Sequence, residues 1–507
     1  MIISLSVLVI TIIVSGTYAL YKAQLSKNIG VNTTTHGLAY YINYVKGTDI
    51  TAATLNPSTS YEGGASSDIE FWKKDDSYDI YGKIELTVNT IGTNLSNSPA
   101  LKYAVVNNGN VLKEGSLKGT TSGSKVTILK NLYLEQTKQI YTVYVWLDNS
   151  EELGNISNES LSISVDCTAS LQKEPTAADT IISLYTSAAK VTATNNSITY
   201  NTAPSVSLMN DRLGGTTTSL DGGNIRYYGA SPNNYIYFNC SDYSNQTSST
   251  CETWRIIGVF DGKLKLIRGS QIGKYSWDNK NISTGAENNY GKNDWTTARL
   301  IKLLNPRDYY KVDSNDNNLG QSLYYNSASG KCYSGQNNAT VDCDFTSTGI
   351  KNDETRNMIA ETTYYLGGWN SYSVYPNEIY EYERGTTVYT GRPPTWPGKI
   401  ALAYPSDYGY AADLNQCKDK TLYDYDNSTC TSNNWMKAIL GTSSHGWLLT
   451  PRSGGSYNAW NVYSGGYVGS TYLAYYAIGA VPVLSLSSKL GIESGDGSSS
   501  NPYKLSA

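Results

Sequence analysis

The sequence predicts a mainly β, multidomain protein, with an antiparallel β-sandwich over residues 26–170 and an α+β domain over residues 224–507. Three observations lead there. At 507 residues the chain exceeds what one ordinary core organises. Between Ser26 and Ser170, apolar and polar residues alternate in short runs separated by Asn, Gly and Ser. Beyond residue 224, helical patterns with capping residues interrupt the strands.

Taken in order, residues 1–25 come first. Ile2 to Tyr18 is uncharged and mostly apolar, near the minimum for spanning a bilayer and placed where a signal h-region would sit. Thr17-Tyr18-Ala19 offers a small-x-small cleavage site, and no Lys or Arg precedes the run. Export is expected, through a cleaved signal peptide or a retained membrane anchor.

The sandwich strands are expected at Lys83–Asn89, Lys102–Val106, Lys125–Leu129, Gln139–Asp148 and Leu161–Cys167. Residues 171–223 are expected to hold a short helix, Pro175–Tyr185, and a polar linker from Thr192 to Gly223. In the second domain, Thr253–Arg268 is a hairpin whose Asp261-Gly262 supplies a type I′ turn. Helices are expected at Asp294–Asn305, with Asp294 as N-cap, at Asn352–Leu366, stopped by Gly367, and at Asn434–Leu440. Strands follow to the C-terminal end.

Six of the seven cysteines form local pairs across polar loops, Cys240/Cys251, Cys332/Cys343 and Cys417/Cys430, leaving Cys167 over. Matched spacing of this kind predicts three disulfides and an oxidising compartment, each small loop closure contributing roughly 2–3 kcal/mol. Without a C-x-x-C and with only two histidines, His36 and His445, no metal site and no cofactor are expected.

A net charge of −4 with 16% charged residues argues against nucleic-acid binding. Tyr numbers 45 and Phe 4, so most aromatic area carries a hydroxyl and can face water. From Trp447 to Leu486 a sparse apolar frame is interleaved with Tyr, Ser, Gly, Thr and Ala, the chemistry of a recognition surface. Asp278, Glu287 and Asp294 have the residue types of a glycosidase pair or of calcium ligands, but turns and caps explain them more economically. The run from Asp313 begins like a calcium loop but has Tyr324 at its twelfth position, and His445 reads as a turn residue. Binding rather than catalysis is therefore expected. An enzyme acting on wall glycan and a structural surface or fibre subunit are the alternatives.

The apolar segment ending S-G-T-Y-A before a sandwich resembles the camelysin and biofilm-fibre group of Gram-positive surface proteins, without an H-E-x-x-H. From Ala177 to Ala507, the runs R-Y-Y-G-A-S-P-N-N-Y-I-Y-F-N, W-R-I-I-G-V-F, K-Y-S-W-D, N-D-W, K-I-A-L-A-Y-P-S-D-Y-G-Y and W-L-L-T-P-R-S resemble a family of exported proteins of Gram-positive gut bacteria. The resemblance implies a C-type-lectin-like domain in its formylglycine-generating-enzyme variant, and a cell-surface location. The Cys pair that such catalysts need is missing from the C-terminal strands. Some proteins of this fold are targets of diversity-generating retroelements, in which adenines of Asn codons are rewritten. On that resemblance Tyr457, Asn458, Tyr463, Ser464, Tyr467, Gly469, Ser470, Thr471, Tyr472, Ala474, Tyr475 and Tyr476 are exchangeable ligand-binding positions on a scaffold of Trp447 and Trp460. Ala480 stands where such domains commonly carry Arg. The expected function is recognition of a protein or glycan ligand at a cell surface.

Overall fold

The computed structural model describes residues 23–25, 41–51, 55–76, 78–151, 153–156, 158–212, 223–278, 289–312, 319–333, 335, 339–442 and 445–506. The apolar N-terminal run, His36, Glu287 and Asp313 lie outside these. No helix among the described residues is long and apolar enough to cross a membrane. The chain is mainly β and forms two compact units, Met1–Glu174 and Pro175–Ala507.

The first unit is a sandwich of two largely antiparallel sheets. One runs Ala23–Leu25, Leu161–Ser170, Tyr81–Ile91, Lys125–Tyr133, and the other Ile42–Val45, Ala65–Lys73, Ile140–Asp148, Leu101–Asn107, Asn110–Ser116. Inward residues recur every second position, as the pleat requires. Ile84, Leu86 and Val88 from the first sheet and Ile69, Phe71, Val143 and Val145 from the second share one core. All five expected strands are present. Ala65–Lys73 and Asn110–Ser116 were not foreseen. Cys167 is unpaired and fully buried in this core, where burial pushes its thiol pKa up.

The second unit contains a nine-stranded sheet running Val191–Asn195, Ile198–Ala203, Leu208–Asn210, Ile225–Tyr227, Glu252–Phe260, Lys263–Arg268, Val483–Ser485, Ile400–Ala401, with Tyr235–Phe238 also on Glu252–Phe260. The expected linker is thus corrected: its described part supplies three strands. Thr and Val favour strands despite Thr being polar, and Asn196-Ser197, with φ of 46° and 60°, makes the tight turn between the first two. Helix Ala177–Ser187 is present as expected, closed by a capping box in which the Asp179 amide donates to Thr176 Oγ1 and the Thr176 amide to Asp179 Oδ2. Asp261 and Gly262, with φ of 48° and 71°, turn the expected hairpin.

Three helical expectations shorten. The one over Asp294–Asn305 becomes a 3-10 turn, Trp295–Thr297, capped by Asp294, followed by a separate short helix, Arg299–Leu304. Asn352 does cap a helix, its Oδ1 accepting from the Thr355 amide at 2.9 Å, but that helix ends at Met358. The β-branched and aromatic run Thr362–Tyr365 pairs instead with Thr395–Gly398. Gly367 is no helix stop; a Cβ there would lie 2.3 Å from the Tyr382 carbonyl oxygen, so the residue permits a close backbone approach. The expected helix from Asn434 begins at Lys437. Among the helices not expected, Pro376–Arg384 and Pro405–Tyr410 each start with Pro.

All three expected disulfides, Cys240–Cys251, Cys332–Cys343 and Cys417–Cys430, are formed. They place this unit in an oxidising, non-cytoplasmic compartment.

Candidate recognition face

A five-stranded sheet carries the Tyr-rich stretch, in the order Gly273–Ser276, Ala477–Ala480, Gly446–Pro451, Asn458–Val462, Val468–Leu473. Gly446–Pro451 lies at its centre and is wholly buried. Trp447 and Trp460 are fully buried, and the Trp447 indole N–H donates to the Tyr275 carbonyl at 2.9 Å.

The hairpin between the last two strands turns at Tyr463-Ser-Gly-Gly-Tyr467. Tyr463 and Tyr467 exchange backbone contact across it, the Tyr463 amide donating to the Tyr467 carbonyl at 2.9 Å. Gly466 adopts φ of 104°, a conformation that suits glycine. The Tyr463 and Tyr467 rings stack, 4.1 Å apart and 14° from parallel. Gly469 makes room for this: a Cβ there would sit 2.5 Å from the Tyr463 ring. His445 is more than a turn residue. Its Nδ1 accepts from the Ser464 amide at 3.0 Å, and its ring packs 4.6 Å from that of Tyr463 and 5.3 Å from that of Tyr472. Burial lowers its pKa, which favours the neutral imidazole that this acceptor role requires.

From this hairpin the rings continue in both directions. One chain of ring contacts runs Tyr372, Tyr423, Tyr467, Tyr463, Tyr472, Tyr476, Tyr475, Tyr290, Tyr457, with centroids 4.1–6.0 Å apart. Burial pushes the Tyr463 hydroxyl up to about 12 and raises Tyr467 and Tyr472, while Tyr476 is raised chiefly by its hydrogen bond to Tyr475. The strip therefore presents neutral hydroxyls, able to donate and accept, between ring faces.

Support comes from below. Asn293 is fully buried, and its Nδ2 donates to the carbonyls of Arg452, Gly455 and Asn458 at 2.9, 2.7 and 3.0 Å, holding the loop that presents Tyr457. The Tyr408 hydroxyl donates to the Gly466 carbonyl at 2.7 Å. Its helix, Pro405–Tyr410, is held in turn by Asp407, which accepts from the Tyr404 amide, from Arg226 and from Lys265. Burial alone would raise the Asp407 pKa, but Lys265 and Arg226 hold it below the usual carboxylate range.

Of the twelve sequence-predicted positions, Ser464, Thr471 and Tyr476 are exposed, and Tyr457, Tyr463, Tyr467 and Tyr472 are half-buried. Asn458, Gly469, Ser470, Ala474 and Tyr475 are buried, so they are corrected from contacts to supports. Asn458 Nδ2 ties the two strands by donating to the Thr471 carbonyl at 2.8 Å, and Ala474 bonds through its backbone to Tyr457 and Asp278. Tyr290, Tyr372 and Tyr423 were missed; they reach the strip from segments distant in sequence, and only fold-level contact reveals them.

The carboxylates do structural work. Asp278 is buried, its Oδ2 accepting from the Lys292 amide at 2.8 Å with Arg299 3.9 Å away. Asp294 caps the turn Trp295–Thr297, accepting from the Thr296 amide at 3.1 Å and hydroxyl at 2.7 Å. No His/Cys/Asp/Glu cluster suited to a metal occurs among the described residues.

No family model matches the chain, and no curated protein matches it. Among solved structures, the chain is similar to the CBM51-2 and INT domains of Clostridium perfringens ZmpB at 14% identity and TM-score 0.14, covering 29% of this chain and spanning 30% of that one. A second structure of those domains, with CBM51-2 in complex with GlcNAc, matches at 13% identity and TM-score 0.12, over 28% of this chain and 30% of that one. A mutant of HCR/D matches at 11% identity and TM-score 0.15, over 50% of this chain and 75% of that one. TM-scores of this size establish neither a shared fold nor a shared function.

Proposed function

We propose that the chain is an exported recognition protein that binds a protein or glycan ligand at a cell surface through the tyrosine strip of its second unit. One observation carries this reading. Among the described residues of that unit, the exposed large apolar side chains are Val191, Tyr290, Val341, Tyr423 and Tyr476, and three of them lie in the continuous strip. Exposed apolar side chains gathered in one patch, rather than scattered, mark a binding surface. Tyrosine suits such a surface because it brings rigid area and a hydroxyl at low entropic cost. The commitment of Asp278 and Asp294 to structural bonds favours binding over turnover.

In this reading the unit is C-type-lectin-like, with Tyr457, Tyr463, Ser464, Tyr467, Thr471, Tyr472 and Tyr476 as the exchangeable surface positions. A coding near-copy of residues 456–480, differing only at adenines and lying beside a reverse transcriptase gene, would establish their diversification.

The test of binding replaces Tyr423, Tyr467 and Tyr476 with Ala and compares variant and parent on glycan arrays and on arrays of bacterial and host surface proteins. A hot-spot tyrosine is worth about 2 kcal/mol, close to thirtyfold in affinity. Loss on one array type names the ligand class, and undiminished binding of the triple variant on both sinks the reading.

A further inference from the structure

A pocket of about 520 Å³ opens on the second unit between the strands Glu252–Phe260 and Lys263–Arg268 and the helix Lys437–Leu440. Tyr235, Arg255 and Ala438 line both this pocket and a neighbour of about 280 Å³, and none of the lining residues belongs to the tyrosine strip. The two arginines of the larger pocket are treated differently. Arg268 is neutralised by Glu252, with Nε donating to Oε2 at 3.0 Å and a terminal nitrogen to Oε1 at 3.1 Å. Arg255 is 8% exposed, and among the described residues its partners are neutral groups and no carboxylate pairs with it. Its Nε donates to the Asn234 amide oxygen and a terminal nitrogen donates to the Pro232 carbonyl at 3.3 Å, both neutral acceptors. The rings of Tyr235 and Trp435 flank its guanidinium at 3.7 and 4.8 Å.

A buried cation without a counter-ion is costly, and ring faces offset only part of that cost. Burial accordingly pulls the Arg255 pKa down to about 10. An arriving anion would supply the missing partner, and the larger pocket falls in the size range of small-molecule sites. We propose that this pocket binds a small carboxylate-bearing ligand whose carboxylate meets the guanidinium of Arg255. Planar guanidinium matches planar carboxylate. Hydroxyls of Thr253 and Ser270 stand on the wall to orient the rest of the ligand.

The experiment titrates the full chain with glucuronate and with benzoate, followed by tryptophan emission and calorimetry, with glucose and inorganic phosphate as comparisons. The expected result is saturable binding of a carboxylate at least about tenfold tighter than glucose or phosphate, weakening as salt is raised. Arg255→Gln should weaken it by about tenfold or more. Ala438→Met narrows the shared rim without touching a charge and should weaken it likewise, which keeps the test decisive if the arginine variant does not fold. Absence of saturable binding of both acids overturns the proposal, as does parental affinity in either folded variant. Phosphate binding tighter than both acids overturns the assignment to a carboxylate.

Discussion

In the sandwich, burial follows strand alternation and the core is mostly aliphatic; in the second unit, an apolar interior is interrupted by buried hydroxyls, amides and ions held by specific partners. Phe71, Leu86 and Val143 need only face inward. Arg226, by contrast, is buried between Asp211 and Asp407 and lies 4.5 and 4.8 Å from the rings of Phe260 and Tyr410. Apolar packing tolerates exchange of similar volumes, whereas a buried polar set fails when one member is removed. The second unit is therefore expected to be the more sensitive to single substitutions, and it also carries the three disulfides.

The comparison can be broken or sharpened by experiment. Reduction should have the largest effect, since each bridge closes a short loop and contributes about 3 kcal/mol. Calorimetry under mild reductant should lower the melting of the second unit alone, because Cys167 of the sandwich is unpaired. Next, Asp407→Asn leaves Arg226 and Lys265 buried without full compensation and should cost about 3–5 kcal/mol. If the sandwich transition moved with it, the two units would be one cooperative block and the contrast would fail.

A smaller effect is expected from pH. Glu383 is fully buried, accepting from the Ser406 amide at 2.9 Å, and burial raises its pKa from 4.5 to about 7. The folded state thus holds the proton more tightly than the unfolded chain. The stability it contributes is complete below pH 4.5 and is lost as pH rises to about 7, a loss of about 3 kcal/mol. Glu383→Gln should remove that slope in denaturant melts at stepped pH; an unchanged slope would mean that another group titrates. Least of all, Cys167→Ala in the aliphatic core should cost on the order of 1 kcal/mol, read as a small shift of the sandwich transition only.

The same contrast explains what the sequence discloses. Period-two alternation exposes the strands Tyr81–Ile91 and Ile140–Asp148, because each inward residue needs nothing but its own side of the pleat. Cysteine spacing discloses the bridges because their loops are local. The strip is only half legible. Tyr463, Tyr467, Tyr472 and Tyr476 stand out in composition, but Tyr290 and Tyr423 join them through tertiary contact. Which positions in the hairpin face outward also escapes a simple count. Register shifts between Ala459 and Asn461, and between Trp447 and Pro451, break the alternation that would have marked Asn458 and Ser470 as buried. Asn293, with three carbonyls to hold, carries no sequence signature beyond being an Asn between Lys and Asp.

The short stapled loops also bear on survival among proteases. Polar surface loops are where chains are nicked. Residues 241–250 and 418–429 fill two such loops, and each is closed by its disulfide. A cut inside either leaves both new ends tied to the body by the Cys240–Cys251 or Cys417–Cys430 bond. The second of these loops carries Tyr423, so a nicked molecule would keep that end of its tyrosine strip tethered in place.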